Sequence, residues 1–378
     1  MSVPGTMPPV ASDYGPRGRP TIDRILPSAA AALGDSRFDD SLELPDAARY
    51  VIFVVDGLGA ELLRDNPRSA PFMSTLPGVD GLVCGVPSTT ATSLTSLATG
   101  LRPGQHGMAG YTCRVPETGH RMNLLTWDQP VEPEAWQPHL SVLARLGDAG
   151  LSAHVVNEAK FEGSGLTRCT HRDVSFHGVK STWERLDVVL EVVEQSPRGL
   201  VYAYDSRLDH TGHADGCQSD AWHETLLSID TDVAQLRAEL PGDTVLLVTA
   251  DHGMIDLPED GRFDLDTVPD LRDGVDLVAG EARLRHLYVT PGATDDVLAC
   301  WREVLAGRAI VEPREELTDW FGPVSAEVRG RFGDVIVASL GDFAVFSSLD
   351  FPQEFQLRGF HGSVTEAELA IPLLLSAG

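Results

Sequence analysis

The chain has 378 residues, a hydrophobic fraction of 42%, and 29 Lys and Arg against 56 Asp and Glu, which leaves a net charge of −27. That length suits one large domain carrying a smaller insertion, and the composition excludes a wholly disordered or fibrous chain. The charge argues against sequence-independent binding to nucleic acid or anionic lipid, so a polyanionic substrate needs a local attractor, which a metal centre would supply.

The expected partner is therefore a small molecule, with no nucleic-acid polymer and no membrane. The cysteines Cys84, Cys113, Cys169, Cys217 and Cys300 are widely spaced, odd in number and include no CxxC pair. This argues against a disulfide framework or a thiolate zinc site, and for a reducing compartment. The N-terminus has no apolar run of signal-peptide length, and no segment offers the roughly 20 apolar residues of a membrane span, so a cytoplasmic location is expected.

Residues 1–20 are rich in Pro, Gly and Ser and read as a loose arm. From Tyr50 onward, short β-branched runs alternate with longer amphipathic stretches, the rhythm of βαβ units and a mostly parallel central sheet flanked by helices. The expected core strands are Tyr50–Val55, Leu82–Gly85, Ala153–Val156, Leu200–Tyr204 and Thr244–Val248. Helical spacing marks Leu140–Ala149, Thr182–Gln195 and Ala221–Leu240. Residues 257–350 differ: Leu284–Val289, Asp334–Ala338 and Phe343–Phe346 are strand-like and Asp295–Ala306 is helical. They form a small α+β insertion in an α/β sandwich whose core is residues 21–256 and 351–378.

Four places put carboxylates or imidazoles just past apolar segments, where open α/β sheets hold their ligands. In VIFVVDGLG, an apolar run ends in Asp56 and Gly57; Asp56 suits either a cation or the cap of a helix opening at Ala60. The GLGA here lacks the third glycine of a dinucleotide fingerprint. DSRLDHTGHADG follows LVYAY and sets Asp209 and His213 four apart, one helical turn, with Asp205, His210 and Asp215 as solvated neighbours. VLLVTADHGM stops at Asp251 and His252, which serve one ion only if the strand has ended and the chain turns at Gly253. RGFHGS carries His361 between glycines. A fifth segment, GVPSTTATSLTSLATGLRPGQHGM, opens a helix with a hydroxyl cluster, and Ser88, Thr89, Thr90 or Thr92 there is either a cap or a group set where an anion is favoured. His106, past the helix end, reads as structural. Three Asp, three His and a hydroxyl suit two Zn²⁺ ions better than Mg²⁺, and such a pair clamps the attacking and leaving oxygens of a phosphoryl transfer.

The order Asp, PSxT before a helix ending in TGxxPxxHG, DxxxH, a strand closing in DHGM, and a late HG resembles the alkaline phosphatase superfamily from about residue 50 to 375. The stretch VPSTTATSLTSLATGLRPGQHG is similar to the nucleophile segment of its nucleotide pyrophosphatase/phosphodiesterase branch. The resemblance implies Thr90 as nucleophile, Asp56, Asp251 and His252 as ligands of the metal that activates it, and Asp209, His213 and His361 as ligands of a second metal at the leaving-group oxygen. It implies zinc at both positions and a phosphothreonine intermediate.

Where many members of the branch carry a phosphoryl-binding asparagine, three residues after the nucleophile, this chain has Ser93, which offers one hydrogen bond for orienting substrate. The Cys/Ser-x-Pro-x-Arg signature of sulfatases is absent, and no arginine adjoins Thr90 to clamp a dianionic terminal phosphate. The leading expectation is a zinc-dependent phosphodiesterase or nucleotide pyrophosphatase. The alternatives are a phosphomonoesterase or phosphonate hydrolase on the same two-metal core, and an inactive binding protein of the same fold. Tyr111, Asn123, Trp127, His154, Asn157 and Lys160 follow core elements and are the residues considered for the pocket wall.

Overall fold

A computed structural model describes residues 10–378. The strands of the main sheet are β1 (Arg49–Val55), β2 (Ser152–Glu158), β3 (Ser175–Val179), β4 (Gly199–Asp205), β5 (Thr244–Thr249) and, after the four strands β6 to β9 of a second sheet, β10 (Leu373–Ser376). The order is β10-β5-β1-β4-β2-β3, parallel throughout except β10, which runs antiparallel to β5. β4 and β5 are buried along their whole length, as is β1 from Tyr50 on, because their uninterrupted apolar runs suit strands covered on both faces.

The helices that matter to the site are α1 (Thr90–Thr99), α2 (Gly165–His171), α3 (Thr182–Gln195), α4 (Arg207–Asp215) and α5 (Asp220–Glu239). Three start on a serine whose hydroxyl accepts an orphan first-turn amide: Ser164 from Thr167, Ser181 from Glu184 and Ser219 from Trp222. The expected helix over Leu140–Ala149 is shorter, Val142–Leu146 followed by a 3₁₀ turn, because Ser141 caps it and Gly147 closes it. No strand forms at Leu82–Gly85. Only Val83 makes isolated bridges, to Thr21 and Ala370, since Gly81 at φ +76° and Pro87 bend the chain on either side.

The second sheet is β6 (Val275–Glu281), β7 (Leu284–Val289), β8 (Ala309–Pro313) and β9 (Val335–Ser339), antiparallel in the order β6-β7-β9-β8. It has its own core, with Leu271, Val278, Leu287, Trp301 and Val337 at the centre. Two buried ion pairs fasten its β6–β7 hairpin to the segment that returns to the main sheet: Arg283 with Glu368 at 2.6 Å, and Arg285 with Glu354.

Of the arm expected at 1–20, residues 1–9 lie outside the described residues. The rest is fastened rather than loose: Gly15 packs on the Trp320 ring and Arg19 pairs with Glu366 at 2.7 Å. Among the described residues no helix is long and apolar enough to cross a membrane. All five cysteines are free.

Asp205, expected to be solvated, is fully buried at the end of β4 and accepts from Arg185 at 2.6 Å and Arg207 at 2.7 Å. Burial alone raises its carboxyl, but the hydrogen bond from Arg207 and the charges of both arginines outweigh this and hold it below the usual range. The strand end thus rests on a buried charge cluster directly behind the α4 start. Asp205→Ala strands the buried Arg185 guanidinium, while Arg207 keeps Asp232 at 2.6 Å, and should lower unfolding free energy by about 3–5 kcal/mol, measured by urea titration at pH 7. A loss below about 1 kcal/mol would show that the cluster does not hold the strand end.

Candidate active site

The carboxyl ends of β4, β1 and β5 lie side by side, so the residues that follow them converge. After β1 the chain passes through Asp56 into Gly57 at φ +76°, whose amide donates to Asp251 Oδ1 at 3.2 Å. A Cβ at Gly57 would stand 3.2 Å from Asp209 Cα, so glycine is what allows α4 this close. Asp56 is not a helix cap: the helix that opens at Ala60 has Gly59 as its N-cap and no side-chain bond there. β5 ends at Thr249, so Asp251 and His252 stand on irregular chain and both face the site. The turn is fixed by Gly253, whose amide donates to Glu368 O at 2.8 Å.

All seven predicted residues meet. His252 Nε2 lies 3.2 Å from Thr90 Oγ1, 3.3 Å from Asp56 Oδ1 and 3.7 Å from Asp251 Oδ2. His361 Nε2 lies 3.2 Å from His213 Nε2 and 3.8 Å from Asp209 Oδ1, and His213 Nε2 is 3.4 Å from Asp209 Oδ1. The two groups share a wall, because His252 stacks on His361 with ring centroids 3.8 Å apart. Asp56, Asp251 and His252 form one set whose ligand atoms all lie within 4.8 Å of one another, and Asp209, His252 and His361 form another.

Each imidazole is oriented from behind. Nδ1 of His252, His213 and His361 faces a backbone oxygen, of Gly253 at 3.0 Å, Gly359 at 2.8 Å and Ser88 at 2.9 Å respectively. A carbonyl only accepts, so each Nδ1 carries the proton and each Nε2 turns a lone pair inward. Facing those lone pairs are Asp56 Oδ1, Asp209 Oδ1 and Asp251 Oδ2, all buried without a hydrogen-bond partner. The centre of the site is thus almost entirely acceptors. Burial first, then the charges of Asp209 and Asp251, pushes the Asp56 carboxyl well above its usual range, and burial likewise raises Asp251. Burial, then His252 and His213, holds His361 well below the ordinary imidazole value. Orphaned carboxylate oxygens opposite inward-turned imidazole nitrogens fit divalent cations, and this donor set of carboxylates and imidazoles fits zinc.

The hydroxyl cluster separates by role. Ser88 donates to Ser363 O at 2.7 Å and Thr92 to Met108 O at 2.9 Å, whereas Thr90, first residue of α1, points its hydroxyl at His252. No side chain caps α1 at Thr89, so its first-turn amides remain available to an anion. His106 is structural, bonded to Ser96 at 2.9 Å.

A cavity of about 580 Å³ opens over Thr90, and Tyr111, Asn157 and Lys160 line it. Asn123, Trp127 and His154 do not: Trp127 packs on Gly165 and His154 pairs with His177 at 3.1 Å. Ser93 is not on the wall either. It is fully buried, its hydroxyl has no hydrogen-bond partner among the described residues, and Leu94 takes the wall position, so Ser93 is not placed to orient a substrate. Two groups went unread in the sequence. Tyr204 donates its hydroxyl to Asp56 Oδ2, and Glu281 enters from the second sheet with Oε2 3.4 Å from His361 Nδ1. Tyr204 alternates within an apolar strand like any core tyrosine, and nothing in sequence ties Glu281 to His361.

The sequence profile of the type I phosphodiesterase/nucleotide pyrophosphatase family matches residues 50–364. The chain belongs to this family, within the alkaline phosphatase superfamily. Its fold is similar to that of murine ectonucleotide pyrophosphatase/phosphodiesterase 5, solved as an inactive variant in complex with AMP: TM-score 0.71, 17% identity, 87% of each chain covered. The human counterpart matches with TM-score 0.68 at 17% identity, again over 87% of each chain. Shorter likenesses link it to phosphopentomutases, at 26% identity over 119 residues for Clostridioides difficile and 30% over 125 residues for Symbiobacterium thermophilum. These matches cover 30% and 32% of this chain and 27% and 29% of the two relatives.

Because burial raises Asp56 in the folded state above its unfolded value near 3.9, its contribution to stability is full below that value and lost as pH rises through the folded one. Asp56→Asn should therefore be more stable than wild type in chelator, by a margin that grows from about pH 4.5 to pH 8, and should lose that advantage when zinc is added. Urea midpoints at the two pH values decide it; a margin that stays flat or shrinks refutes the charge-crowding account.

Proposed function

We propose that the chain is a metal-dependent phosphodiesterase or nucleotide pyrophosphatase that works through a phosphothreonine at Thr90, with zinc held by Asp56, Asp251 and His252 and by Asp209, His213 and His361. The observation that carries this reading is the Thr90 hydroxyl at the start of α1, 3.2 Å from His252 and beside buried carboxylates that have no hydrogen-bond partner. Family membership supports a phosphoric ester hydrolase, and the AMP complex of the murine neighbour supports a nucleotide as the small-molecule substrate.

When bound, zinc would supply Lewis-acid stabilisation of phosphoryl charge and lower the proton affinity of the hydroxyl. The remaining work falls to the chain. Thr90 Oγ1 attacks phosphorus as the P–O bond to the leaving alcohol or phosphate breaks, and water then cleaves the phosphothreonine, releasing a monophosphate and restoring the hydroxyl. Uncapped amides at the α1 start stabilise the equatorial oxygens through the transition state. The carbonyls behind the three histidines hold every Nε2 inward through the cycle.

The cavity bears on substrate class. Leu94, Leu125, Phe161, Leu166 and Tyr202 give it a mostly apolar side suited to an organic substituent on phosphorus. Among the described residues on its wall, Lys160 is the one permanent cation, and it pairs with Glu158 at 2.9 Å. No guanidinium waits there for the second charge of a monoester, which favours diesters and pyrophosphate bonds over terminal phosphates.

Thr90→Ala should keep the fold and lose more than about 99% of turnover, a barrier increase above ~2.7 kcal/mol. Circular dichroism with a single-turnover assay checks this, and near-normal rates for Thr90→Ala beside a dead Thr89→Ala or Thr92→Ala would move the nucleophile. On one zinc-loaded preparation, kcat/KM for thymidine 5′-p-nitrophenyl phosphate or bis-p-nitrophenyl phosphate should exceed that for p-nitrophenyl phosphate at least about tenfold, or ~1.4 kcal/mol. A clear monoester preference would place the chain with the phosphomonoesterases of the same core.

A further inference from the structure

Glu281 ends β6, the edge strand of the second sheet, yet its side chain lines the cavity over Thr90. It is 8% exposed, Oε1 has no hydrogen-bond partner, and Oε2 stands 3.4 Å from His361 Nδ1. Thr89, one residue before the nucleophile, lines the same cavity. Among the described residues no lysine or arginine pairs with the Glu281 carboxylate, since the nearby Arg285 is bonded to Glu354 and Arg283 to Glu368. Removing a carboxyl group from water with so few compensating bonds is costly, so burial of this group calls for a reason other than packing.

Its surroundings are built for close approach. Gly362 sits at φ +123°, and a Cβ there would stand 2.6 Å from Glu281 Cδ. Ser88 and Gly362 are laced together: Ser88 N–H donates to Gly362 O and Gly362 N–H to Ser88 Oγ, both at 3.1 Å. Two residues past Glu281, Arg283 grips Glu368, whose Oε1 accepts from Ser363 N–H at 2.9 Å. The hairpin of the second sheet therefore holds the 361–363 loop at two points, and Glu281 is the point that reaches a predicted metal ligand.

We propose that Glu281 is a positioning residue: its carboxylate shares the His361 Nδ1 proton with the Ser88 carbonyl, so that one side chain of the second sheet sets the direction of His361 Nε2. Carboxylates behind metal-binding imidazoles fix ring orientation and raise ligand basicity, and their loss typically weakens metal binding about 10–100-fold. The inference rests on reading the site as a metal centre.

The test is zinc titration of chelator-stripped full-length protein by competition with an indicator, for wild type, Glu281→Ala and Glu281→Gln, alongside thermal unfolding of each in chelator. Glu281→Ala should weaken zinc binding about 10-fold or more. Glu281→Gln, whose amide oxygen still accepts, should recover part of the loss. Zinc binding by the alanine variant within about twofold of wild type overturns the proposal, even where its metal-free melting temperature falls, because that pattern marks a structural role alone. If Glu281→Ala does not fold, the glutamine variant decides: weakening of about threefold or more supports the role, and wild-type affinity overturns it. Wild type that takes up no zinc refutes the metal centre itself, a failure separate from that of Glu281.

Discussion

Three carboxylates and three imidazole lone pairs facing one another in a buried space is an arrangement that repels itself, and the rest of the molecule is organised to hold it. Asp56, Asp209 and Asp251 each keep a buried oxygen without a donor, and burial drives the Asp56 and Asp251 carboxyls toward the neutral form. A protein core without a cation to place there has no use for such a cluster, because each group loses hydration and gains no partner.

Holding it takes rigidity close by. The main sheet brings three strand ends together, and the first turn past each is fixed by a bond independent of any ligand: Gly57 to Asp251, Gly253 to Glu368, and Asp205 to its two arginines. The second sheet closes the far side through Arg283, Arg285 and Glu281. The site is therefore shared between two sheets, the second of which has a core of its own yet also packs into the main core through Leu284, Ile310, Ile336 and Ala338, and the late segment carrying His361 is the seam between them.

Much of this was legible in the sequence because the chemistry sits where patterns change. Asp56 and Asp251 end uninterrupted apolar strands, Asp209 and His213 lie one turn apart, and Thr90 lies in a Ser/Thr cluster at a helix start, from which the family resemblance singles it out. What stayed unread depends on contacts distant in sequence. Asp205 looked solvated because Arg185, which neutralises it, lies on α3, 20 residues earlier. Glu281 sits at the edge of a strand interrupted by polar residues, and its partners come from β-strand connections that no local pattern reports. Ser93 illustrates the opposite error: spacing from Thr90 set its expected role, but the turn of α1 buries it and gives the wall to Leu94. β3 and β10 escaped notice as short edge strands, one carrying Gly178 within it and the other entering directly after Pro372.

The central claim is that the buried acceptors hold metal, and anomalous diffraction from crystals of active protein, collected on both sides of the zinc absorption edge, tests it most directly. The account predicts two peaks that vanish below the edge, one among Asp56, Asp251 and His252 and one among Asp209, His213 and His361. Full catalytic activity in crystals that show no anomalous density among these six residues would contradict it.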